Sequence, residues 1–199
     1  MIDWLRVRDN IVNIFFVLTA AIFSVIALSG IVYYINANWF YDFPINNANL
    51  MKEYAHLMEY LLNPFSGELK FLYFPASRSG LLHFVDVKNL FLLNNIVFLI
   101  TLGLKKVFKI KLRFYAKDAA VIGILPVIIG IIAAMDFDQF FVMFHEVLFR
   151  NSDWMFDPVA DPIINVLPEE FFEQLIFMFF IIFEIMVYIG YKKRAKELS

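Results

Sequence analysis

The sequence predicts an all-α polytopic membrane protein: four transmembrane helices, both termini cytoplasmic, and two extracytoplasmic segments with interfacial helices. Three observations predict it. Of the 199 residues, 61% are hydrophobic and 19% aromatic, and the mean hydropathy is +0.70; soluble domains hold roughly 45–50% apolar residues. Four apolar runs, over about 11–35, 87–104, 119–135 and 172–190, reach the roughly 17–25 residues that cross a bilayer. The net charge of −2 hides a segregation: basic residues collect in the head, after the second run and in the tail, and most acids fall in 36–88 and 136–173. Basic segments stay in the cytoplasm, so 36–88 and 136–173 are the outer segments of a single integral membrane domain, 1–199.

In chain order, the head (1–10) carries Arg6 and Arg8, with Trp4 placed for the headgroup level. The run 11–35 has no charge. It is longer than a signal-peptide core and lacks a small-residue cleavage site, so it reads as a retained helix. The first outer segment is punctuated by Pro44, Pro64, Gly67, Pro75 and Gly80. Within it LMKEYAHLMEYLL sets Leu50, Tyr54, Leu57, Met58 and Leu61 at helical spacing, an amphipathic helix. FLYFPASRSG reads as a strand or extended piece, near 71–76, ending in a turn. The second span ends at Lys105 and Lys106 and opens KKVFKIKLRFYAK, with six basic residues and no acid. The third span contains Pro126 and is followed by Asp136 and Asp138. In DQFFVMFHEVLFR, Phe141, His145 and Leu148 share one helical face and Phe140, Phe144 and Val147 the next, the pattern of an aromatic helix lying in the interface. The fourth span closes with YKKRAKE.

Several chemistries are excluded. Without cysteine there is no disulfide, thiolate metal site, Cys nucleophile or cysteine lipidation of the chain itself. No 34- or 40-residue repeat is visible. His145-Glu146 opens like a zincin motif, but Phe149 stands where the second histidine belongs. Ser77 and Ser79 flank Arg78 without a nucleophile elbow, and there is no phosphate loop or dinucleotide fingerprint. Asp153, Asp157 and Asp161 are spaced for a cation, but Pro158 interrupts a continuous helix and a solvated acidic loop is the plainer reading. The basic inner loop is explained by topology and lipid headgroups without nucleic acid.

Counting depth at 1.5 Å per helical residue brings ionisable groups to one layer. His83 lies 22 positions before Lys105, roughly 33 Å up, and Glu173 lies 19 before Lys192, roughly 28 Å up. Asp136 closes the same end of the third span. His83 has Asp86 three residues on, placed to orient an imidazole; a surface helix-end pair is the plain alternative. His145 faces the apolar side or a cavity, either as an interfacial histidine without a role or as a reactive one. His56 has no comparable context and reads as structural. Within the spans, where hydrocarbon penalises polar groups, Glu184, Asn94 and Asn95 suggest an interhelical hydrogen bond. Asn94 shares the His83 face and is placed to line the lower wall of a lipid-sized cavity.

HFVDVKNL (83–90) together with FHEVLFRNSDWMFDP…LPEEFF (144–172) resembles the lipoprotein intramolecular transacylases of Gram-positive bacteria. The likeness covers essentially the whole chain; Phe84 stands where that pattern often has Met, and Arg78-Ser79 where it often has Arg-Glu. The resemblance implies transfer of the sn-2 acyl chain of an S-diacylglyceryl group to the α-amine of a lipoprotein's N-terminal Cys, giving an N-acyl, S-monoacylglyceryl lipoprotein. It implies His83, oriented by Asp86, and His145 as a base and acid pair in either order, with Arg78 or Asn151 as oxyanion donor. Trp154, Asp161, Pro168 and Glu169 belong to the long motif as loop-shaping or substrate-contacting residues. The implied partners are diacylated lipoproteins and membrane lipid, at the extracytoplasmic face of the cell membrane, with no cofactor and no metal.

Two other readings use the same residues. A non-enzymatic docking or sensor module would use the acidic outer surface and tolerate loss of both histidines. A metal-dependent membrane lipid hydrolase would combine His83, His145 and nearby carboxylates and respond to chelators.

Overall fold

The computed structural model describes residues 3–39 and 45–196; Pro44, one of the expected breaks, and Glu197 of the tail lie outside them. Six α-helices follow in order: α1 (Trp4–Trp39), α2 (Asn47–Leu62), α3 (Arg78–Val107), α4 (Ala116–Met135), α5 (Phe137–Leu148) and α6 (Glu169–Ala195), with a 3-10 turn at Pro162–Asn165 before α6. Four of them, α1, α3, α4 and α6, are long and apolar enough to cross a membrane, and the protein is a multi-pass membrane protein. All four begin before the apolar runs do. The head is helical from Trp4, α3 starts at Arg78, α4 at Ala116 and α6 at Glu169, because helix continues past the hydrocarbon wherever side chains or caps satisfy its ends.

The chain forms two compact units: Met1–Ile26, Asn94–Asp136 and Ile176–Ser199 make one, Ala27–Leu93 and Phe137–Leu175 the other. In the first, Val17, Ala21, Phe114, Phe183 and Val187 form the core. Phe114 is fully buried, and its N–H donates to the Gly190 carbonyl at 3.3 Å. A Cβ at Gly190 would stand 2.7 Å from the Phe114 ring, so this approach requires glycine. Asn13, also fully buried, donates to the Lys111 carbonyl at 3.0 Å and accepts from Lys105 Nζ at 2.5 Å. The interhelical hydrogen bond expected of Glu184 and the asparagines is not made. Asn94 Nδ2 and Oδ1 and Glu184 Oε1 are buried without a partner among the described residues. The Glu184 carboxyl lies instead against Gly123, where a Cβ would come within 2.8 Å of it.

The second unit is built on aromatic packing. Tyr33 of α1 stacks on Tyr54 of α2 with ring centroids 4.2 Å apart, and Phe171 of α6 meets Tyr33 edge-on at 5.3 Å. Such pairs add roughly 1 kcal/mol each beyond the area they bury. Both phenols are satisfied: Tyr33 donates to the Val166 carbonyl and Tyr54 to Ser29 Oγ, each at 2.6 Å. Asn36 and Gln174 exchange hydrogen bonds at 3.0 and 3.4 Å. The helix α2 forms as its spacing predicts, capped by Asn46, which accepts from the Asn49 N–H at 2.9 Å. It buries Leu50, Tyr54, Leu57 and Leu61, and Met58 is half-buried against them.

The stretch 71–76 forms no strand. Glu53 of α2, 1% exposed, accepts the N–H of Leu72 at 2.9 Å and of Tyr73 at 2.7 Å. Amides that would have sought a partner strand are taken by a carboxylate, which is itself satisfied by them.

Candidate active site

The second unit brings His83 and His145 together. Each is placed by a local device. Ser77 caps α3: its carbonyl accepts the Leu81 N–H at 3.1 Å and its hydroxyl accepts the Gly80 N–H at 3.0 Å, the geometry serine favours at a helix start. Asp161, 2% exposed, then holds Ser77, accepting its N–H on Oδ1 and its hydroxyl on Oδ2, both at 2.7 Å. Gly80 lets this carboxylate approach, since any Cβ there would run into it. His83 stands in the second turn of the helix so fixed. His145 lies in the last turn of α5, and with Phe140 it makes the buried face of that helix. Val142, Met143, Phe144, Val147 and Leu148 remain exposed, an apolar face suited to the membrane boundary.

The imidazoles are both buried, 8% and 7% exposed, with ring centroids 5.8 Å apart. Aromatic rings wall them in. Phe149 meets both, at 4.9 Å from His83 and 5.6 Å from His145. Phe156 stands edge-on to His83 at 5.4 Å, Trp154 lies over His145 at 4.9 Å, and Phe141 packs 4.1 Å from His145.

The hydrogen bonds make the two imidazoles unequal. His145 Nδ1 lies 2.7 Å from the Phe141 carbonyl oxygen. A carbonyl only accepts, so Nδ1 carries the proton and Nε2 of the neutral ring carries the lone pair. Burial holds the His145 pKa below its ordinary 6.5, with the Phe141 bond opposing part of that shift, so the ring is neutral at neutral pH. His83 Nδ1 is buried and without a partner among the described residues.

The remaining expected site residues fall as follows. Among the described residues no hydrogen bond joins Asp86 to His83 Nδ1. Asp86 Oδ2 accepts from Asn151 Nδ2 at 2.9 Å, because the side chain points to the loop after α5. Asn151 is tied on three sides: it also accepts the Asp153 N–H on Oδ1 at 3.1 Å, and its carbonyl accepts Trp154 Nε1–H at 3.0 Å. Asp161, expected as a loop-shaping or substrate-contacting residue, has both oxygens on Ser77 and ties its loop to α3. Arg78 is exposed at the first position of α3 and makes no hydrogen bond or ion pair among the described residues. Glu169, in the first turn of α6, sits beside Asp138 of α5. Asn94 belongs to the first unit. His56 is half-buried, its Nε2 2.9 Å from the Lys70 carbonyl, away from this cluster of contacts. Among the described residues no three His, Asp or Glu groups gather as a metal site; of the spaced acids, Asp157 caps the Val159 N–H at 2.8 Å and Asp161 is held by Ser77.

Sequence reasoning missed the aromatic wall and the Ser77 cap. Phe149, read only as the residue that breaks a zincin motif, is the ring that touches both histidines. The legible sign of the cap was the residue type alone: serine, favoured at a helix start, stands immediately before Arg78.

Comparison with known proteins is consistent along the chain. The family model "Lipoprotein intramolecular transacylase Lit" matches residues 10–172. The solved in meso structure of the membrane integral lipoprotein intramolecular transacylase Lit from Bacillus cereus superposes with a TM-score of 0.77 at 27% identity, over 96% of this chain and 95% of that one. Variants of the same Bacillus cereus protein with one histidine replaced superpose at 0.65 for arginine and 0.66 for alanine. Both are 28% identical, covering 93% and 96% of this chain and 89% and 94% of theirs. No curated protein sequence matches the chain.

Proposed function

The chain belongs to the lipoprotein intramolecular transacylase family Lit, and on that premise we propose that His83 and His145 move an acyl chain within one lipoprotein, from the sn-2 oxygen of its S-diacylglyceryl group to the α-amine of its N-terminal Cys. The protein is an acyltransferase of the membrane that acts on lipoproteins. What supports this assignment of residues is the buried pair of imidazoles, 5.8 Å apart and closed in by aromatic rings, with one ring locked in a single tautomer.

In this reading His145 is the base. Its Nε2 takes a proton from the amine as nitrogen attacks the sn-2 carbonyl carbon, and a neutral imidazole has the pKa for that transfer. The tetrahedral adduct then collapses. The new C–N bond remains, the C–O bond to the glycerol sn-2 carbon breaks, and the departing oxygen receives the proton through His83. One ester is lost, one amide and one alcohol are gained, and no water enters. The aromatic enclosure excludes water that would compete as nucleophile. Because amine and ester belong to one molecule, holding the headgroup folded supplies rate through proximity.

Asn151 has a second amide hydrogen beyond the one on Asp86, and Arg78 makes no hydrogen bond or ion pair among the described residues; either supplies the oxyanion donor. Trp154 and the exposed face of α5 receive the acyl chains. The reaction faces the extracytoplasmic leaflet, with both termini in the cytoplasm, because the basic segments of the chain belong inside.

The test is tandem mass spectrometry of a reporter lipoprotein's N-terminal peptide from cells that make only diacylated lipoproteins, with and without this protein. Intramolecular transfer leaves the parent mass unchanged, so the fragments must show an N-acyl group and a monoacylglyceryl thioether. These fragments are expected with the wild-type chain and absent with His83→Ala or His145→Ala. An unrearranged peptide from well-expressed wild-type protein sinks the reading.

A further inference from the structure

The segment that follows α3 carries a feature unrelated to the histidine site. In KIKLRF (109–114) apolar and basic residues alternate. Ile110 and Phe114 are buried in the first unit, while Lys109 and Lys111 are exposed and Arg113 is half-buried. The turn that starts this segment closes α3 in a Schellman-like manner, with the Phe108 N–H on the Leu104 carbonyl and the Ile110 N–H on the Lys105 carbonyl, both at 2.9 Å. Its left-handed residue is Lys109, at φ 53°, where glycine is the unstrained choice.

Lys109 and Lys111 line a cavity of about 290 Å³, together with Arg113, Arg6 and Asn10, and with Arg194 of α6. The Tyr115 ring forms part of its wall, with the Arg6 guanidinium 4.2 Å from its centroid and that of Arg194 4.4 Å away. Both carboxylates that line the cavity are engaged: Asp9 pairs with Arg8 at 2.7 Å, and Asp3 accepts the Arg6 backbone N–H at 3.1 Å. Asp118, outside the lining, takes Arg6 Nε at 2.9 Å and the Asn10 amide at 2.7 Å. The ammonium groups of Lys109 and Lys111 make no hydrogen bond or ion pair among the described residues. Apolar surface adjoins them: Leu5 on the wall, with Trp4, Val107 and Phe108 nearby in sequence, is exposed.

Two ammonium groups at one cavity, Lys109 and Lys111, without a partner among the described residues call for an anion, and exposed apolar side chains at the end of membrane-spanning helices call for an acyl tail. We propose that this cavity binds the phosphate of an anionic phospholipid, with Lys109 and Lys111 as its principal charge contacts. Lysine in the left-handed position aims an ammonium group at the cavity from a site where glycine would satisfy the turn alone.

The test uses the full chain in detergent, observed by native mass spectrometry with equimolar dioleoylphosphatidylglycerol and dioleoylphosphatidylcholine. The wild-type chain is expected to retain one phosphatidylglycerol in preference, and to lose about fivefold in that preference for each lysine removed in Lys109→Gln and Lys111→Gln. Lys109→Gly separates charge from strain: it should raise the Tm while weakening phosphatidylglycerol retention. It also decides the matter should either glutamine variant fold poorly. Retention unchanged in Lys109→Gly, or equal retention of the two lipids by the wild-type chain, overturns the proposal. Displacement of the lipid by inorganic phosphate at millimolar concentration also overturns it, by making free phosphate the ligand.

Discussion

The carboxylate of Asp161 grips the residue that caps α3, taking the backbone N–H of Ser77 on one oxygen and its hydroxyl on the other, both at 2.7 Å. The link joins the loop after α5 to the start of the helix that carries His83. Hydrogen bonds to a buried charge are worth roughly 1.5–3 kcal/mol each, and stranding their partners costs more than replacing both sides.

Asp161→Ala should therefore lower stability by about 3 kcal/mol, read as a fall in Tm of the detergent-solubilised chain. Activity should fall too, because the first turns of α3 lose their anchor. Gly80→Ala should act in the same direction, since its methyl group displaces the same carboxylate. Full stability and activity in both variants would show that the link is incidental to the site.

A second link, from Asn151 Nδ2 to Asp86 Oδ2 at 2.9 Å, replaces the Asp86–His83 bond that the H-x-x-D spacing suggested. If Asp86 acts by holding the loop, Asp86→Ala and Asn151→Ala should impair transfer to a similar degree and the double variant should be little worse. The cycle should give a coupling energy of about 1 kcal/mol. Additive losses in that cycle would return Asp86 to a separate role.

Much of this arrangement was legible because hydrophobic runs, helical periodicity and charge segregation are local properties of the sequence. They placed the four long helices and the buried face of α2, and they singled out His83 and His145, whose rings meet. What escaped depends on partners distant in the chain. Glu53 draws the amides of Leu72 and Tyr73 away from strand pairing, and no pattern within 71–76 records that. Asp86 had two neighbours in reach, His83 three residues back and Asn151 in another segment, and spacing alone cannot choose between them. The polar groups inside the helices misled for the same reason. Asn94 and Glu184 invited a mutual hydrogen bond, but the room beside Glu184 was set by Gly123 on α4.

Trp154 lies over the His145 ring at 4.9 Å, the planes inclined by 30°, with its indole N–H anchored on the Asn151 carbonyl. Trp154→Phe keeps a ring but loses that anchor, whereas Trp154→Ala opens one wall of the enclosure. Transfer should decline modestly in the first and by at least tenfold in the second, with free fatty acid from hydrolysis rising as water enters. A Trp154→Ala enzyme with wild-type rate and no hydrolysis would remove Trp154 from the enclosure's function.

The Phe141 carbonyl fixes Nε2 of His145 as the basic nitrogen, and burial lowers the pKa of the ring from 6.5. Both amine and imidazole must be neutral for the first step, and the α-amine ordinarily titrates near 8. With bound substrate, the rate should rise with pH through the amine ionisation to a plateau, and steepen further only below pH 6.5, where His145 begins to protonate. A rate that falls as pH rises above the His145 ionisation would mean that His145 acts first as an acid, reversing the assignment. Stability should follow the same group. The unfolded chain binds this proton more readily than the folded one, so the His145 contribution is present above pH 6.5 and is lost as pH falls below it. His145→Asn retains an N–H for the Phe141 carbonyl but has no base. It should weaken that acid-side loss of stability and cut transfer by roughly 10²–10⁴-fold, measured as the rate of N-acyl peptide formation.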